Sequence, residues 1–309
     1  MTKARGAGLD ALREKVARGS EITLVLGAGV SLGRGVPGWA SLARTLASES
    51  GVALPEGFEA MHPQALPIAF ELVLARLGAR SFGDRVREAL YRDLRPARGD
   101  TLAAIARGVR RQQAVVDRRL RRVITFNADD LLEHEANTRG SELSAPVVWP
   151  LAHEWSRPRK ARGARGRAPI PVYHLHGFLP RSGSPLAARA NAAGLVFTDA
   201  QYWASFAEPT SFPNRVMLGA LHDSVCVFVG LSMTDLNVAR WLGMRAHAMT
   251  ESSPADRRAA LDHHFWIRRR PDRKSAEAFV GPLLRERGVR AIDLPSWDAI
   301  GPLLNELLG

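Results

Sequence analysis

The amino-acid sequence predicts an α/β fold in which a Rossmann-like, mainly parallel sheet carries helices on both faces, with a helical insertion and no zinc module. Three observations lead there. Short runs of β-branched and leucine residues alternate with stretches of helical spacing, the pattern of parallel strands joined by crossover helices. The first such run passes directly into a glycine turn that opens a helix. A single cysteine, Cys226, stands in the whole chain, which leaves neither an internal disulfide nor a cysteine-rich zinc site.

Residues 8–18 have the spacing of a short helix, and Glu21 to Leu26 reads as a buried strand. Gly27-Ala28-Gly29-Val30-Ser31 follows at once, and a second turn, Gly33 to Gly38, leads into a helical stretch from Trp39 to Leu46. From about Pro63 to Val116 apolar residues recur at three- and four-residue steps, as in Leu72, Leu74 and Leu77 and then Phe82, Val86 and Leu90, with no convincing strand among them. This is the helical insertion, 63–116. Strand character returns at Val123 to Asn127, Pro146 to Trp149, Val172 to Leu175, Leu195 to Phe197, Val225 to Val229, His264 to Ile267 and Val289 to Ile292. Arginine-rich stretches at 157–167 and 268–274 read as exposed loops, and no internal repeat is present.

At 309 residues the chain exceeds the usual single-domain range of about 100–200, so one enlarged domain or a core with an insertion is expected. No run approaches the ~20 apolar residues of a membrane helix, and the first ten residues lack the apolar stretch of a secretory signal. The expected location is the cytoplasm, with no membrane contact. The formal net charge of +12 is carried almost wholly by arginine. That charge suits polyanions, yet in an alanine-rich chain it also fits a compositional bias.

Four polar clusters follow predicted strands, on the edge where an open α/β sheet binds its ligand. In the first, Gly27 and Gly29 would let backbone N–H groups approach a pyrophosphate, although a tight turn explains them as well. Leu32 stands where the dehydrogenase fingerprint has its third glycine, and no acidic residue ends a second strand about 20 residues on, so hydride transfer is disfavoured. The second, Thr125-Phe126-Asn127-Ala128-Asp129, reads equally as helix capping. The third, Tyr173-His174-Leu175-His176-Gly177, holds two histidines that could each be hydrogen-bonded core residues. The fourth, Gly230-Leu231-Ser232 followed by Asp235, also fits a turn and an N-cap.

Taken in order, these clusters resemble the sirtuin superfamily, whose motifs are Gly-Ala-Gly-x-Ser, Thr-x-Asn-x-Asp, His-Gly and Gly-x-Ser. They stand here at Gly27 to Ser31, Thr125 to Asp129, His176-Gly177 and Gly230 to Ser232, so the resemblance spans roughly residues 22–240 of one sirtuin-like domain, 1–309. Leu195 to Trp203 and Asp235 look most like the prokaryotic NADase branch associated with anti-phage defence. Protein-deacylating sirtuins differ: they carry four zinc-binding cysteines, a Gly-Ile-Pro-x-Phe-Arg loop where Gly35-Val36-Pro37-Gly38-Trp39 stands here, and glutamine in place of Phe126.

The resemblance implies NAD as substrate, no metal, and cleavage of NAD to nicotinamide and ADP-ribose, with depletion of NAD halting an infected cell. Catalysis would rest on Asn127, orienting ribose or water, and on His176, accepting a proton. NAD would be bound by Gly27, Ala28, Gly29, Ser31, Trp39, Thr125, Asp129, Gly230, Ser232 and Asp235. The helices at 63–116 would roof the site. Nicotinamide is already a cationic leaving group, so the reaction mainly needs stabilisation of an oxocarbenium-like state. A homo-oligomer is implied, with a partner protein such as a hexameric translocase-type ATPase or a short Argonaute-like protein. Direct nucleic-acid binding is not favoured, because the 157–167 loop has no adjacent aromatic ladder. The alternatives are an NAD-dependent protein deacylase and a non-catalytic module that senses NAD or binds nucleic acid.

Overall fold

The structure is a computed structural model that describes residues 7–62, 64–96, 101–138, 148–151, 167–190, 194–233, 235–249, 263–270 and 276–308. The expected loops lie outside these residues except for Arg167 and Arg268 to Arg270, as do Pro146 and Val147 of the third expected strand.

Seven strands, each parallel to its neighbours, form one sheet. They are β1 (Ile22–Leu26), β2 (Leu120–Thr125), β3 (Val148–Leu151), β4 (Ile170–His174), β5 (Val225–Val229), β6 (His264–Arg269) and β7 (Val289–Leu294). The spatial order is β3-β4-β2-β1-β5-β6-β7, so chain progression reverses between β1 and β5. The crevice beyond the carboxyl ends of those two strands is the switch point at which such sheets take ligands.

Unbroken apolar strands belong to sheets covered on both faces. Ile22, Leu24 and Leu26 pack with α1 (Ala7–Ala17), α2 (Trp39–Ser50), α3 (Ala65–Leu77), α4 (Ala79–Tyr91), α5 (Thr101–Ala114) and a final helix (Ile300–Leu307) in one core. Val25, Cys226, Phe228 and Trp266 face the second core, built with α8 (Phe212–Asp223) and α9 (Leu236–Ala248). Cys226 is a buried core residue without a disulfide. Two shorter helices, α6 (Leu131–Thr138) and α7 (Asp199–Ala207), begin at the polar edge.

The helices expected at 63–116 divide into two groups. α3 and α4 pack on each other and on α2, with α3 also against α7, whereas α5 packs on α6 and the final helix and so covers the sheet. Only the first group borders the polar edge from outside.

The strand expected at Leu195 to Phe197 does not form. Gln201 Oε1 accepts from the amides of Phe197 and Thr198, at 2.8 and 3.0 Å. The Thr198 hydroxyl accepts from the Gln201 amide in return. This capping box starts α7 and consumes amides that a sheet ladder would need.

Candidate active site

Because all strands run the same way, the four polar clusters meet at one edge. The first two contacts are between backbones. Gly27 N–H donates to Val229 O (3.1 Å) and Gly29 N–H to Gly230 O (2.8 Å). A Cβ on Gly27 would lie 2.6 Å from Gly230 O, one on Gly29 2.8 Å from Gly230 Cα, and one on Gly230 2.6 Å from the Val30 nitrogen. Gly230 also holds φ +65°, a left-handed conformation that favours glycine. These glycines therefore let the ends of β1 and β5 touch. The amides of Val30 and Ser31 close 3₁₀ turns onto Gly27 O and Ala28 O.

Asn127 follows β2 and is held from several sides. Its N–H donates to Thr125 Oγ1 (3.1 Å), its carbonyl lies 2.9 Å from His174 Nδ1, and its Nδ2 donates to Gly27 O (3.3 Å) and Ser31 Oγ (3.1 Å). Oδ1 alone is buried without a partner. The Ser31 hydroxyl donates onward to Asp129 Oδ2 (3.1 Å), whose Oδ1 accepts from Leu131 N–H (3.1 Å) at the start of α6. Burial pushes the Asp129 carboxyl up to about 6, against the pull of that N–H. Ala28, Trp39, Asn127, Asp129 and Phe197 are among the residues that line an inner pocket enclosing about 320 Å³ of space, part of it open to solvent.

His174 and His176 take different directions, because β4 ends at His174 and the chain turns at Leu175 and His176. Residues two apart share a face only within a strand, so the two rings part here. His174 Nε2 lies 2.8 Å from Glu133 Oε1 on α6. Burial opposes its charge and is the largest single influence, but Glu133, the Asn127 carbonyl and Asp129 together outweigh it and raise the pKa. His176 is 3% exposed and neither ring nitrogen has a partner. Its ring meets Trp39, Phe126 and Tyr202 edge-on, with centroids 5.3, 5.0 and 5.6 Å away. Burial alone brings its pKa down to about 3. Gly177 has φ +87°, and a Cβ there would meet Gly194 O at 2.9 Å, so glycine is required after His176.

A second, outer cleft encloses about 1840 Å³ of space, part of it open to solvent. Trp39 and Phe197 belong to both spaces and form the wall between them. Ser232 and Asp235 lie on this outer cleft, with Tyr202 and Trp203 of α7, Arg240 of α9, and Glu59 and His62 just before α3. The Asp235 carboxylate also caps α9, accepting from the amides of Asn237 (2.9 Å) and Val238 (3.2 Å). Burial raises its pKa.

The sequence-predicted residues thus fall into three groups: Ala28, Trp39, Asn127 and Asp129 on the inner pocket, Trp39, Ser232 and Asp235 on the outer cleft, and His176 buried behind Trp39. Gly27, Gly29, Ser31, Thr125 and Gly230 support these from beneath. Sequence reasoning missed Glu133, although a carboxylate on the apolar side of a short helix, beside Leu132 and Ala136, was a legible signal. It also missed the anchor formed by Tyr91, whose hydroxyl donates to Leu179 O (2.6 Å) and accepts from Asp130 N–H (2.9 Å). Asp130 in turn accepts from Arg181 Nε (3.0 Å). Among the described residues no group of three or more metal-ligating side chains comes together, and no helix is long and apolar enough to cross a membrane.

Comparison with known proteins adds a family. The model of the SIR2-like domain matches residues 121–292, which hold the second, third and fourth clusters. A solved structure described as the structural basis for the mechanism and regulation of Sir2 enzymes is 13% identical, with 97% of each chain covered and a TM-score of 0.45. A search among curated proteins returned no match.

Proposed function

The chain belongs to the SIR2-like family, which suggests an NAD-related enzyme, and on that premise we propose that it is an NAD glycohydrolase, releasing nicotinamide and ADP-ribose. The observation that carries this reading is the inner pocket. Its lining is mostly apolar and includes Asn127, whose Oδ1 is buried without a partner, and Asp129, which accepts from Ser31. A buried oxygen without a partner is costly unless a ligand or water satisfies it.

In this reading Asp129 binds the carboxamide of nicotinamide, and the carboxyl raised to about 6 is still mostly ionised at neutral pH. Asn127 orients the ribose or the attacking water. The glycine loop contributes the surface around Ala28, since the amides of Gly27 and Gly29 are already donated to β5 and the turn after it. Ser232 and Asp235 serve the adenosine half from the outer cleft. His176 accepts the proton. Behind Trp39 its pKa near 3 makes it a poor base, and admission of water would return it toward its ordinary 6.5, where it can act at neutral pH.

The closed ring of aromatics around His176 supports a poor basal enzyme that is switched on by oligomerisation or by a second protein. The family resemblance favours an anti-phage effector, in which a translocase-type ATPase or a short Argonaute-like protein is the partner. A partner needs only to bind the open state more tightly than the closed one. Product analysis after incubation with NAD, across protein concentrations and with candidate partners, tests both steps. Nicotinamide and ADP-ribose are expected from the activated protein, and Asn127→Ala is expected to abolish their release while remaining folded. A folded Asn127→Ala protein with wild-type turnover would remove the assigned chemistry. Rapid turnover by a dilute monomer would remove the switch.

A further inference from the structure

We propose that His174 is a positioning residue for Asn127, holding its backbone carbonyl through Nδ1–H, with Glu133 as the partner of the other ring nitrogen. The inference rests on the reading of Asn127 as part of the NAD site and deepens it.

A carbonyl only accepts hydrogen bonds, so His174 Nδ1, at 2.9 Å from Asn127 O, must carry hydrogen. His174 Nε2 lies 2.8 Å from Glu133 Oε1, so the second proton of the imidazolium lies between them. Nδ1–H then points at Asn127. The side chains are 1% and 0% exposed. A buried pair of this kind is not explained by stability, because apolar replacements of similar volume are often as stable or more so. What distinguishes this pair is its third contact.

With that contact, the N–H, the carbonyl and the side-chain amide nitrogen of Asn127 are each tied down, by Thr125, His174, Gly27 and Ser31. Oδ1 is left buried without a partner, on a residue that lines the pocket. Tilting the 127–128 peptide would swing Oδ1 out of register. The charged groups facing His174 are Glu133 and Asp129, and the Phe178 ring lies 4.4 Å away, centroid to centroid. When the ring loses a proton as pH rises through the raised His174 pKa, the remaining one is drawn to Nε2 by the Glu133 carboxylate. Asn127 O then faces a lone pair.

Glu133→Gln separates positioning from proton relay. The glutamine amide can donate to Nε2 and keep Nδ1–H on Asn127 without any titrating carboxylate. Glu133→Leu removes the partner. In the activated protein, Glu133→Gln is expected to retain nicotinamide release and to lose the fall in kcat expected of the wild type as pH rises through the raised His174 pKa. Glu133→Leu is expected to lower kcat by about 100-fold, the scale of a small misplacement, with KM little changed. In ¹⁵N-histidine spectra of the full chain, wild type and Glu133→Gln should both carry a protonated, slowly exchanging Nδ1 at His174. A Glu133→Gln protein as impaired as Glu133→Leu, or a folded Glu133→Leu protein with wild-type kcat, overturns the proposal. If no condition yields nicotinamide from the wild type, the NAD glycohydrolase reading fails, and the ring spectra then decide this inference alone: an unprotonated Nδ1 in the wild type overturns it.

Discussion

His174 and His176 stand two residues apart at the end of one strand, and their surroundings share almost nothing. The first has Glu133 on one nitrogen and Asn127 O on the other. The second is enclosed by Trp39, Phe126 and Tyr202 with neither nitrogen engaged. Burial disfavours charge at both. At His174 the Glu133 carboxylate, the Asn127 carbonyl and Asp129 together outweigh it, and at His176 nothing does, so one pKa rises and the other falls to about 3. A satisfied buried histidine holds its neighbours in place. An unsatisfied one costs stability, and in a cleft it marks a functional candidate.

The largest test of this contrast is His176→Leu. Nicotinamide release should fall by about 10³-fold, within the range of a lost general base, while thermal stability stays level or rises because two unpartnered nitrogens are removed. A clear drop in Tm, with activity retained, would make His176 a structural residue and erase the contrast. His174→Leu should behave in the opposite way. It strands the Glu133 carboxyl in the core, with an expected loss of about 3–5 kcal/mol, read by denaturant unfolding. The double variant His174→Leu with Glu133→Leu should recover part of that loss. Strict additivity would show that the pair is not coupled.

How much of this was legible in the sequence follows from the range of each interaction. β1 and β5 are readable to within a residue because short runs of β-branched and apolar residues ending in glycine need no tertiary context. The order of the four clusters placed Asn127, Asp129, Ser232 and Asp235 on one edge, as parallel strands require. Leu195 to Phe197 misled because its β-like composition competes with a local capping box, and Thr198 with Gln201 three residues later was the clue. The aromatic enclosure of His176 was not readable. Trp39 follows the glycine loop, Phe126 ends β2 and Tyr202 belongs to α7, and nothing in their spacing brings them together. The glycines were noticed for a ligand, while their nearest neighbours are each other's backbones.

Acid titration sharpens the contrast with a smaller effect. His176 is neutral when folded down to about pH 3 and takes a proton near 6.5 when unfolded. Its contribution is therefore fully present above 6.5 and is lost as pH falls below it, by at most about 1.4 kcal/mol per pH unit. His174 has the opposite sign: its contribution is present below 6.5 and is lost as pH rises through its raised folded value. Asp129, raised from 3.8 to about 6, also favours its protonated form and lowers stability as pH rises between those values. Subtracting His176→Leu from wild type cancels the last two to first order. Thermal midpoints from pH 7 to pH 4 should show the wild type losing ground steadily to the variant. Parallel curves would mean that water already reaches His176 in the folded protein.

The smallest effect is expected farthest from either histidine, at Ser232. Its side chain lies on the outer cleft, across the wall made by Trp39 and Phe197 from Asn127. A contact there with the nucleotide would be made equally in the ground state and the transition state, so its loss raises KM and leaves kcat alone. Ser232→Ala should therefore raise KM for NAD by roughly 2- to 10-fold, the worth of one neutral hydrogen bond. Steady-state kinetics on the activated protein separates the two constants. Suppose instead that kcat fell as far as in Asn127→Ala. The outer cleft would then take part in the chemical step, Trp39 would not divide binding from chemistry, and the site would have to be redrawn with the fourth cluster beside the reacting bond.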